Sequence, residues 1–448
     1  MLSSMKDDKK QKAAPKHNLR LELEQYKREH DKLRRLFNIT RNISRELKLN
    51  NLLMLIMDEV KSVLQCDRCS VFLIDKGKNE LWSRVAHGEK EIRFPANLGI
   101  AGYVASSGEI MNIPNAYADT RFNRNIDKKT GYHTRTILTV PMRNRLGEII
   151  GVFQALNKIG GAFSKDDEEL LDALSTIAAT QIENAQLYAE QKKTFESFVE
   201  TLASTIDARD PLTAGHSKRI ALYADQIAQV VKLDENEREI LKTSAMLHDY
   251  GKIAVREAVL TKNGKLTRDE FKHIQDHPYY TKIILEKINF SKELRNVPLI
   301  AASHHERIDG EGYPSGLAEN HIPKLSRILA VADVFDAITS KRHYRDRMEF
   351  TQVIDFLTSE AGTHLDEFFV AAFKKIKINE LIKILESDHL EYIDQEDLDL
   401  FSRVDIVDLV YAMEDASSRH KETLVNIFNK YYTREYLQRG KDEKSDKQ

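Results

Sequence analysis

The chain has 448 residues, with 68 Lys and Arg against 70 Asp and Glu, a formal net charge of −2 and two cysteines. That length accommodates two or three domains, each able to bury its own core. The near balance of charge argues against a general polyanion binder, no apolar run approaches a membrane helix, and the start lacks a signal-peptide core. A cytoplasmic protein with no nucleic-acid polymer and no membrane partner is therefore expected. Cys66 and Cys69 form a C-x-x-C pair with no second pair and no nearby His, and Cys69 opens the strand-like run CSVFLID, so structural roles are expected for both.

In chain order, residues 1–18 read as a charged, disordered tail. Over 19–49, Leu19, Leu23, Tyr26, Leu33 and Phe37 fall at heptad spacing interrupted by His30, which predicts an N-terminal helix with coiled-coil character. Residues 50–164 open with the helical NLLMLIMDEVKSVL and continue through CSVFLID, LWSRVAH, ILTVPMRN and EIIGVFQALNK, strand-like runs separated by turn residues. They predict an α/β domain with an antiparallel sheet. Over 165–206 a long helix carries a seam of Leu170, Leu174, Ile177, Gln181, Asn184, Tyr188, Gln191, Phe195, Phe198 and Leu202. Polar residues within it point to a registered parallel dimer; the alternative is a helix packed on its own domain.

Residues 207–376 are helical throughout, with Asp234 and Glu237, and Thr267 and Glu270, spaced as capping boxes. Residues 377–437 are a helical extension without chemical signature, expected to pack on a neighbour or a dimer mate, and 438–448 a disordered tail. The fold class is thus multidomain: an α/β domain, a linker helix and an all-α bundle.

The all-α segment holds His216, His248-Asp249, His277, His304-His305 and Asp333, each in or beside an apolar helical run. A lone histidine there is more often a packed core residue. Burying so many ionisable groups without a cation is costly, however, and two divalent ions sharing a bridging carboxylate would resolve the cost. His and carboxylate ligands suit Fe, Mn or Zn, and the lack of thiolates gives no preference for Zn.

The order H…HD…H…HH…D, with HDYGKI, HHERIDGEGYP and VADVFDAITSKRHYR, resembles the HD-GYP family of cyclic di-GMP phosphodiesterases over about Ala208–Phe373. The resemblance implies that Asp249 bridges two metals, Fe or Mn first. His216, His248 and Asp333 would complete one shell, and His277, His304 and His305 the other. Lys252, one helical turn after the His-Asp pair, is placed to reach a phosphate oxygen. Asp309, Gly312, Tyr313 and Pro314 would shape the nucleotide mouth. Arg342, Tyr344 and Arg345 would take the second phosphate and base, with a solvated patch as the bland alternative. Tyr250 replaces a small aliphatic residue. Leu212 stands where some relatives carry a carboxylate for a third metal, so a two-metal site and linearisation to pGpG, rather than full degradation to GMP, are expected.

In the α/β segment, GIAGYVASSGEIMNIPNAYAD, DKKTGYHTRTILTVP and the set Asn157, Lys158, Phe163, Asp167 and Glu168 resemble GAF domains of mammalian cyclic-nucleotide phosphodiesterases and some bacterial adenylyl cyclases. The similarity covers about Leu36–Tyr188. It implies a pocket of Ser70, Ile100, Ala101, Asp127, Thr130, Thr134 and Gln154 for cAMP or cGMP, with Lys158 and Asp167 forming a structural salt bridge nearby. An unliganded dimerisation domain is the alternative, and His87 stands where a base-stacking aromatic often lies. The combined expectation is a cyclic di-GMP phosphodiesterase gated by a cyclic mononucleotide. Competing readings are a non-catalytic cyclic di-GMP receptor acting through partner proteins, and a hydrolase of a mixed cyclic dinucleotide such as cyclic GMP-AMP.

Overall fold

A computed structural model describes residues 14–84, 91–209, 215–262, 264–340, 347–415, 418–434 and 436. It divides into two compact units, Met1–Thr194 and Phe195–Gln448. Leu212, His87, Arg342, Tyr344 and Arg345 lie outside the described residues, as does the side chain of Thr130.

The first unit runs α1 (Ala14–Ile43), α2 (Leu49–Leu64), β1 (Cys66–Asp75), β2 (Glu80–Arg84), β3 (Glu91–Pro95), α3 (Gly99–Ser107), β4 (Met111–Ile113), α4 (Arg124–Thr130), β5 (Ile137–Arg143) and β6 (Ile149–Lys158), followed by α5 (Lys165–Arg209). Helix α1 begins at Ala14, inside the stretch expected to be disordered. Pro15 does not prevent this, because a first-turn residue needs no intrahelical N–H bond.

The sheet order is β3-β2-β1-β6-β5-β4, antiparallel at every pairing. Strand alternation sorts the side chains onto two faces. Val71, Leu73, Leu138, Val140 and Phe153 pack beneath α2 and the first part of α5. Phe72, Val152 and Leu156 point the other way, toward Ile100, Ala101 and Val104 of α3. Ser70 and Gln154 are register partners on β1 and β6, so both join this second face.

In α5 the expected dimer seam gives way, over its first turns, to packing within the unit. Leu170, Leu174, Ala178, Ile182 and Ala185 are buried in the same core as the sheet. A 3.5-residue seam and a 3.6-residue amphipathic face coincide over two or three turns, so spacing alone did not separate them. Further along, Tyr188 and Phe198 are exposed, while Val199, Ala203 and Ile206 are buried.

The set Asn157, Lys158, Phe163 and Asp167 closes the sheet's end. Asn157 adopts φ +58°, a region that asparagine tolerates. Its Oδ1 accepts from the Arg135 and Thr136 N–H groups at 2.6 and 3.3 Å, and its Nδ2 donates to the Tyr132 hydroxyl and the His133 carbonyl at 2.8 and 2.9 Å. Lys158 Nζ donates to the Leu64 carbonyl and to Asp167, 2.8 Å away, which also accepts from Ser164. Phe163 is buried, its carbonyl accepting from Asn112, while Glu168 pairs with Lys165.

The second unit contains the end of α5, then α6 (His216–Val230), α7 (Glu235–Leu247), a 3-10 turn (Tyr250–Ala254), α8 (Glu257–Leu260), α9 (Arg268–Gln275), α10 (His277–Leu285), α11 (Val297–Ala302), α12 (Lys324–Thr339), α13 (Phe350–Ser359), α14 (Glu367–Phe373), α15 (Ile378–Leu385), α16 (Gln395–Leu400), α17 (Ile406–Glu414) and α18 (Arg419–Tyr432). Both capping boxes are present, at Asp234/Glu237 and Thr267/Glu270.

The neighbour on which the extension packs is this unit itself: Ile378, Leu381, Phe401, Leu409, Phe428 and Tyr432 share one core with Tyr223, Phe335 and Phe373. Glu386, fully buried, anchors it by accepting from Arg347, Arg434 and Tyr436.

Asn157→Ala orphans two backbone donors, and is expected to destabilise the first unit by about 2–3 kcal/mol in chemical denaturation. Burial alone would raise the Asp167 carboxyl, but the bonds from Lys158 and Ser164 outweigh it and hold it below its ordinary 3.8. Its stabilisation is therefore present above that value and lost as pH falls. Urea midpoints measured against pH should lose part of their acid-side fall in Asp167→Asn.

Candidate functional site

All seven expected ligand side chains converge, and most arrive from helix ends. His216 is the first residue of α6 and His277 the first of α10. His248 and Asp249 follow the last residue of α7, and His304 and His305 follow α11, at C-terminal ends whose partial negative charge favours a cation. Asp333 comes from within α12. His248, His277 and His304 are at most 1% exposed, and Asp249 is 6% exposed.

The orientation of the imidazoles is set by their outer nitrogens. The Nδ1 atoms of His248, His277 and His304 lie 2.7, 2.8 and 2.6 Å from the carbonyls of Ala245, Ile274 and Ala301. A carbonyl only accepts, so each Nδ1 carries a proton, and in the neutral ring each Nε2 presents a lone pair to the interior. His216 is turned the same way by Asp336, 2.8 Å from its Nδ1.

The inward atoms gather around Asp249. Its Oδ1 is 3.1 Å from His277 Nε2 and 4.0 Å from His304 Nε2, while its Oδ2 is 3.4 Å from His248 Nε2 and 3.8 Å from His216 Nε2. Asp333 lies 3.3 Å from His216 and 4.0 Å from His305. Two three-residue groups with mutually close donor atoms result, His216–His248–Asp333 and His277–His304–His305, with Asp249 between them.

These residues fit divalent cations on two observations. His248 Nε2 is buried without a hydrogen-bond partner. His277 Nε2 and His304 Nε2 face each other at 3.3 Å, and in neutral rings protonated at Nδ1 both are lone-pair atoms. Electron-rich atoms crowded in this way require positive charge among them.

Electrostatics agree at His304 and His305, whereas His216 is held protonated by its two aspartates, a proton that a bound cation would displace. Burial and neighbouring imidazoles push His304 well down, and burial lowers His305 to about 3 against the pull of Asp333, so both stay neutral and able to donate lone pairs. For His216, burial is outweighed by hydrogen bonds to Asp333 and Asp336, which hold it up at about 10. Asp249, despite burial, is held well below the carboxylate range chiefly by Lys252. Lys252 Nζ is 2.8 Å from Asp249 Oδ2.

Three residues that sequence reasoning missed brace the centre. Asp336 is 1% exposed and accepts from Arg219 Nε and Nη2 at 2.7 and 2.9 Å as well as contacting His216. An aspartate three residues beyond Asp333 in an apolar run was the available signal for this pair. Glu306 is buried and accepts from the Ser315 and Leu317 N–H groups, both at 2.7 Å, stapling the loop behind His304-His305.

In that loop Gly312 is required by close approach: a Cβ there would lie 2.4 Å from Arg307 N and 2.6 Å from the Glu306 Cα. Tyr313 is partly buried, with its ring centroid 4.8 Å from that of His305, and Pro314 is exposed. Asp309 accepts from Arg307 Nε at 3.0 Å and from the Glu311 N–H at 2.9 Å, so its carboxylate braces the loop. Tyr250 is partly exposed at the start of the 3-10 turn.

The first unit holds a separate cavity of about 170 Å3, lined by Ser70, Ile100, Ala101, Asp127, Thr134 and Gln154. Thr130 belongs to α4, which also carries Asp127. Arg68, Phe94, Phe122, Asn123 and Tyr132 line it too and were not anticipated, because they reach it from separate strands and loops. The Arg68 guanidinium sits 3.9 Å from the Tyr132 ring centroid. Asp127 is committed within the protein: it accepts from the Thr134 N–H at 2.7 Å, the Thr134 hydroxyl at 2.8 Å and the Tyr117 hydroxyl at 3.0 Å. Its role is thus to fasten α4 beside the cavity. Gln154 Nε2 donates to Thr139 at 3.2 Å.

Comparison with known proteins matches residues 48–182 to the GAF domain model and residues 200–368 to the HD domain model. The chain is 38% identical over 180 residues to the 3'3'-cGAMP-specific phosphodiesterase 3 of Vibrio cholerae, covering 40% of this chain and 38% of that protein. It is 40% identical over 167 residues to the cyclic di-GMP phosphodiesterase response regulator RpfG of Xanthomonas campestris, covering 37% and 43%. It is 38% identical over 186 residues to the dual 3',5'-cyclic-AMP and -GMP phosphodiesterase 11A of Takifugu rubripes, covering 38% and 21%. The chain spans less than half the length of each of these relatives. It is a GAF–HD protein, a GAF domain followed by an HD domain that carries the His248-Asp249 pair and the Gly312-Tyr313-Pro314 run of the HD-GYP type.

Proposed function

We propose that this protein is a metal-dependent phosphodiesterase that hydrolyses cyclic di-GMP to pGpG under control of a cyclic mononucleotide, cAMP or cGMP, held by the GAF domain. The observation that carries the reading is the convergence of seven ligand side chains, with the two oxygens of Asp249 divided between two donor groups. His216, His248 and Asp333 would hold one cation and His277, His304 and His305 the other, with Fe or Mn preferred for a set of imidazoles and carboxylates. When bound, such cations lower the pKa of water and offset phosphate charge.

The remaining work falls to the chain's own groups. Lys252, whose ammonium lies 2.8 Å from Asp249, is assigned to pair with a phosphate oxygen of the substrate. Tyr313, against His305, offers an aromatic face to a guanine at the mouth. Gly312 lets the loop approach the histidine backbone, and Asp309 and Pro314 hold its shape. Arg342, Tyr344 and Arg345 are assigned to the second phosphate and base by the resemblance alone. The exposed Leu19, Leu23, Tyr26, Leu33 and Phe37 of α1 support a parallel homodimer. A cytoplasmic location completes the proposal.

A second reading, 3'3'-cyclic GMP-AMP as substrate, is favoured by the relative of Vibrio cholerae that carries that specificity in its name. Mn2+-loaded protein incubated with both dinucleotides, with products separated by chromatography, decides between them. Linear pGpG should accumulate, EDTA should stop it, and Asp249→Ala or His304→Ala should each lower kcat by about 10²–10³-fold. Binding of cyclic di-GMP without turnover would instead identify a receptor.

For the GAF domain, saturating cAMP or cGMP should change the hydrolysis rate. Thr134→Ala, which removes one of the three hydrogen bonds that hold Asp127 beside the cavity, should weaken nucleotide binding by about tenfold in calorimetry. A rate insensitive to either nucleotide would sink the regulatory half.

A further inference from the structure

The last turn of α5 grips the segment that carries His216 and the turn that follows His248-Asp249. Asp207 accepts from the Gly215 N–H at 3.0 Å and the Ser217 hydroxyl at 3.2 Å, the residues flanking His216. Gly215 is the N-cap of α6, with φ +70°, so this contact sets where His216 enters its helix. Two residues on, Arg209 donates from Nη1 to the Ile253 carbonyl at 2.6 Å and from Nη2 to the Val255 carbonyl at 2.8 Å.

Those carbonyls end the 3-10 turn that follows Asp249. Within it the Val255 N–H donates to the Lys252 carbonyl at 3.0 Å, and the Lys252 N–H to the Asp249 carbonyl at 2.9 Å. A continuous hydrogen-bond chain therefore runs from Arg209 through Val255 and Lys252 to Asp249. A guanidinium fork suits this task, because it satisfies two diverging acceptors at fixed spacing, which a lysine does not.

We propose that Asp207 and Arg209 are positioning residues for the metal centre, so that the end of α5 sets the separation of His216 from Asp249 and Lys252. Helix α5 is unbroken from Lys165, and its first turns belong to the GAF-side core. A shift of the end of this helix therefore reaches the ligands through these two contacts as well as through the packing of Val199 and Ala203 in the core. Only the kinetic arm of the test rests on the phosphodiesterase reading.

In the full-length protein, Arg209→Ala, Arg209→Lys and Asp207→Asn are compared for Mn2+ affinity by chelator competition, for metal-free melting temperature, and for kcat and KM with cyclic di-GMP. Arg209→Ala and Asp207→Asn should weaken Mn2+ binding by about tenfold or more and lower kcat with KM unchanged. Arg209→Lys, keeping the charge and one contact, should recover part of both. Wild-type Mn2+ affinity and kcat in Arg209→Ala and Asp207→Asn would overturn the proposal. So would a loss matched by metal-free melting that Arg209→Lys does not relieve, since Arg209 would then only hold up the fold. A wild type that binds Mn2+ yet cleaves no cyclic dinucleotide would end the phosphodiesterase reading, while Mn2+ affinities would still decide this one.

Discussion

Four buried imidazoles, at positions 216, 248, 277 and 304, have their Nδ1 atoms committed to acceptors, which turns four Nε2 atoms toward the carboxylate of Asp249. Facing lone pairs beside buried carboxylates repel one another in a low-dielectric interior. The surrounding helices have to hold them together, and they do so through backbone contacts that leave little room. A Cβ on Gly251 would fall 1.9 Å from the His277 carbonyl, so the turn after Asp249 and the start of α10 approach as closely as the chain allows. Gly312 does the same for the loop behind His304-His305.

That constraint orders the rest of the helical unit. Asp336 and Arg219 fix His216, Glu306 pins the following loop, and the large apolar core runs on through the C-terminal helices. The extension is thus part of the scaffold that carries the site, with Arg347 tied to Glu386 and to the Tyr432 carbonyl. In the α/β unit the governing device is the strand period of two. It sends Val71 and Phe153 into the core beneath α2 and α5, and Ser70 and Gln154 to the face where the cavity lies.

Much of this was legible because the signals are local. Capping boxes at Asp234 and Thr267 mark helix starts by side chains three residues apart. The histidine and aspartate motifs sit at helix ends, where a short run of sequence already places adjacent ligands together. The strands β3 and β4 were missed: each is five residues or fewer, too short for alternation to stand out. The seam of α5 was misassigned in its first turns because dimer contact and domain contact share nearly one period.

By itself the sequence determined which residue types are available as ligands, in what order they occur, and which helix ends and strands carry them. It did not determine that Asp336 rather than solvent meets His216, that Asp127 turns to Thr134 and Tyr117 beside the cavity, or that Arg209 reaches the turn after Asp249. Those pairs are separated by up to 120 residues in the chain. Only packing of whole helices and strands brings them within hydrogen-bond range, and that proximity is a property of tertiary structure.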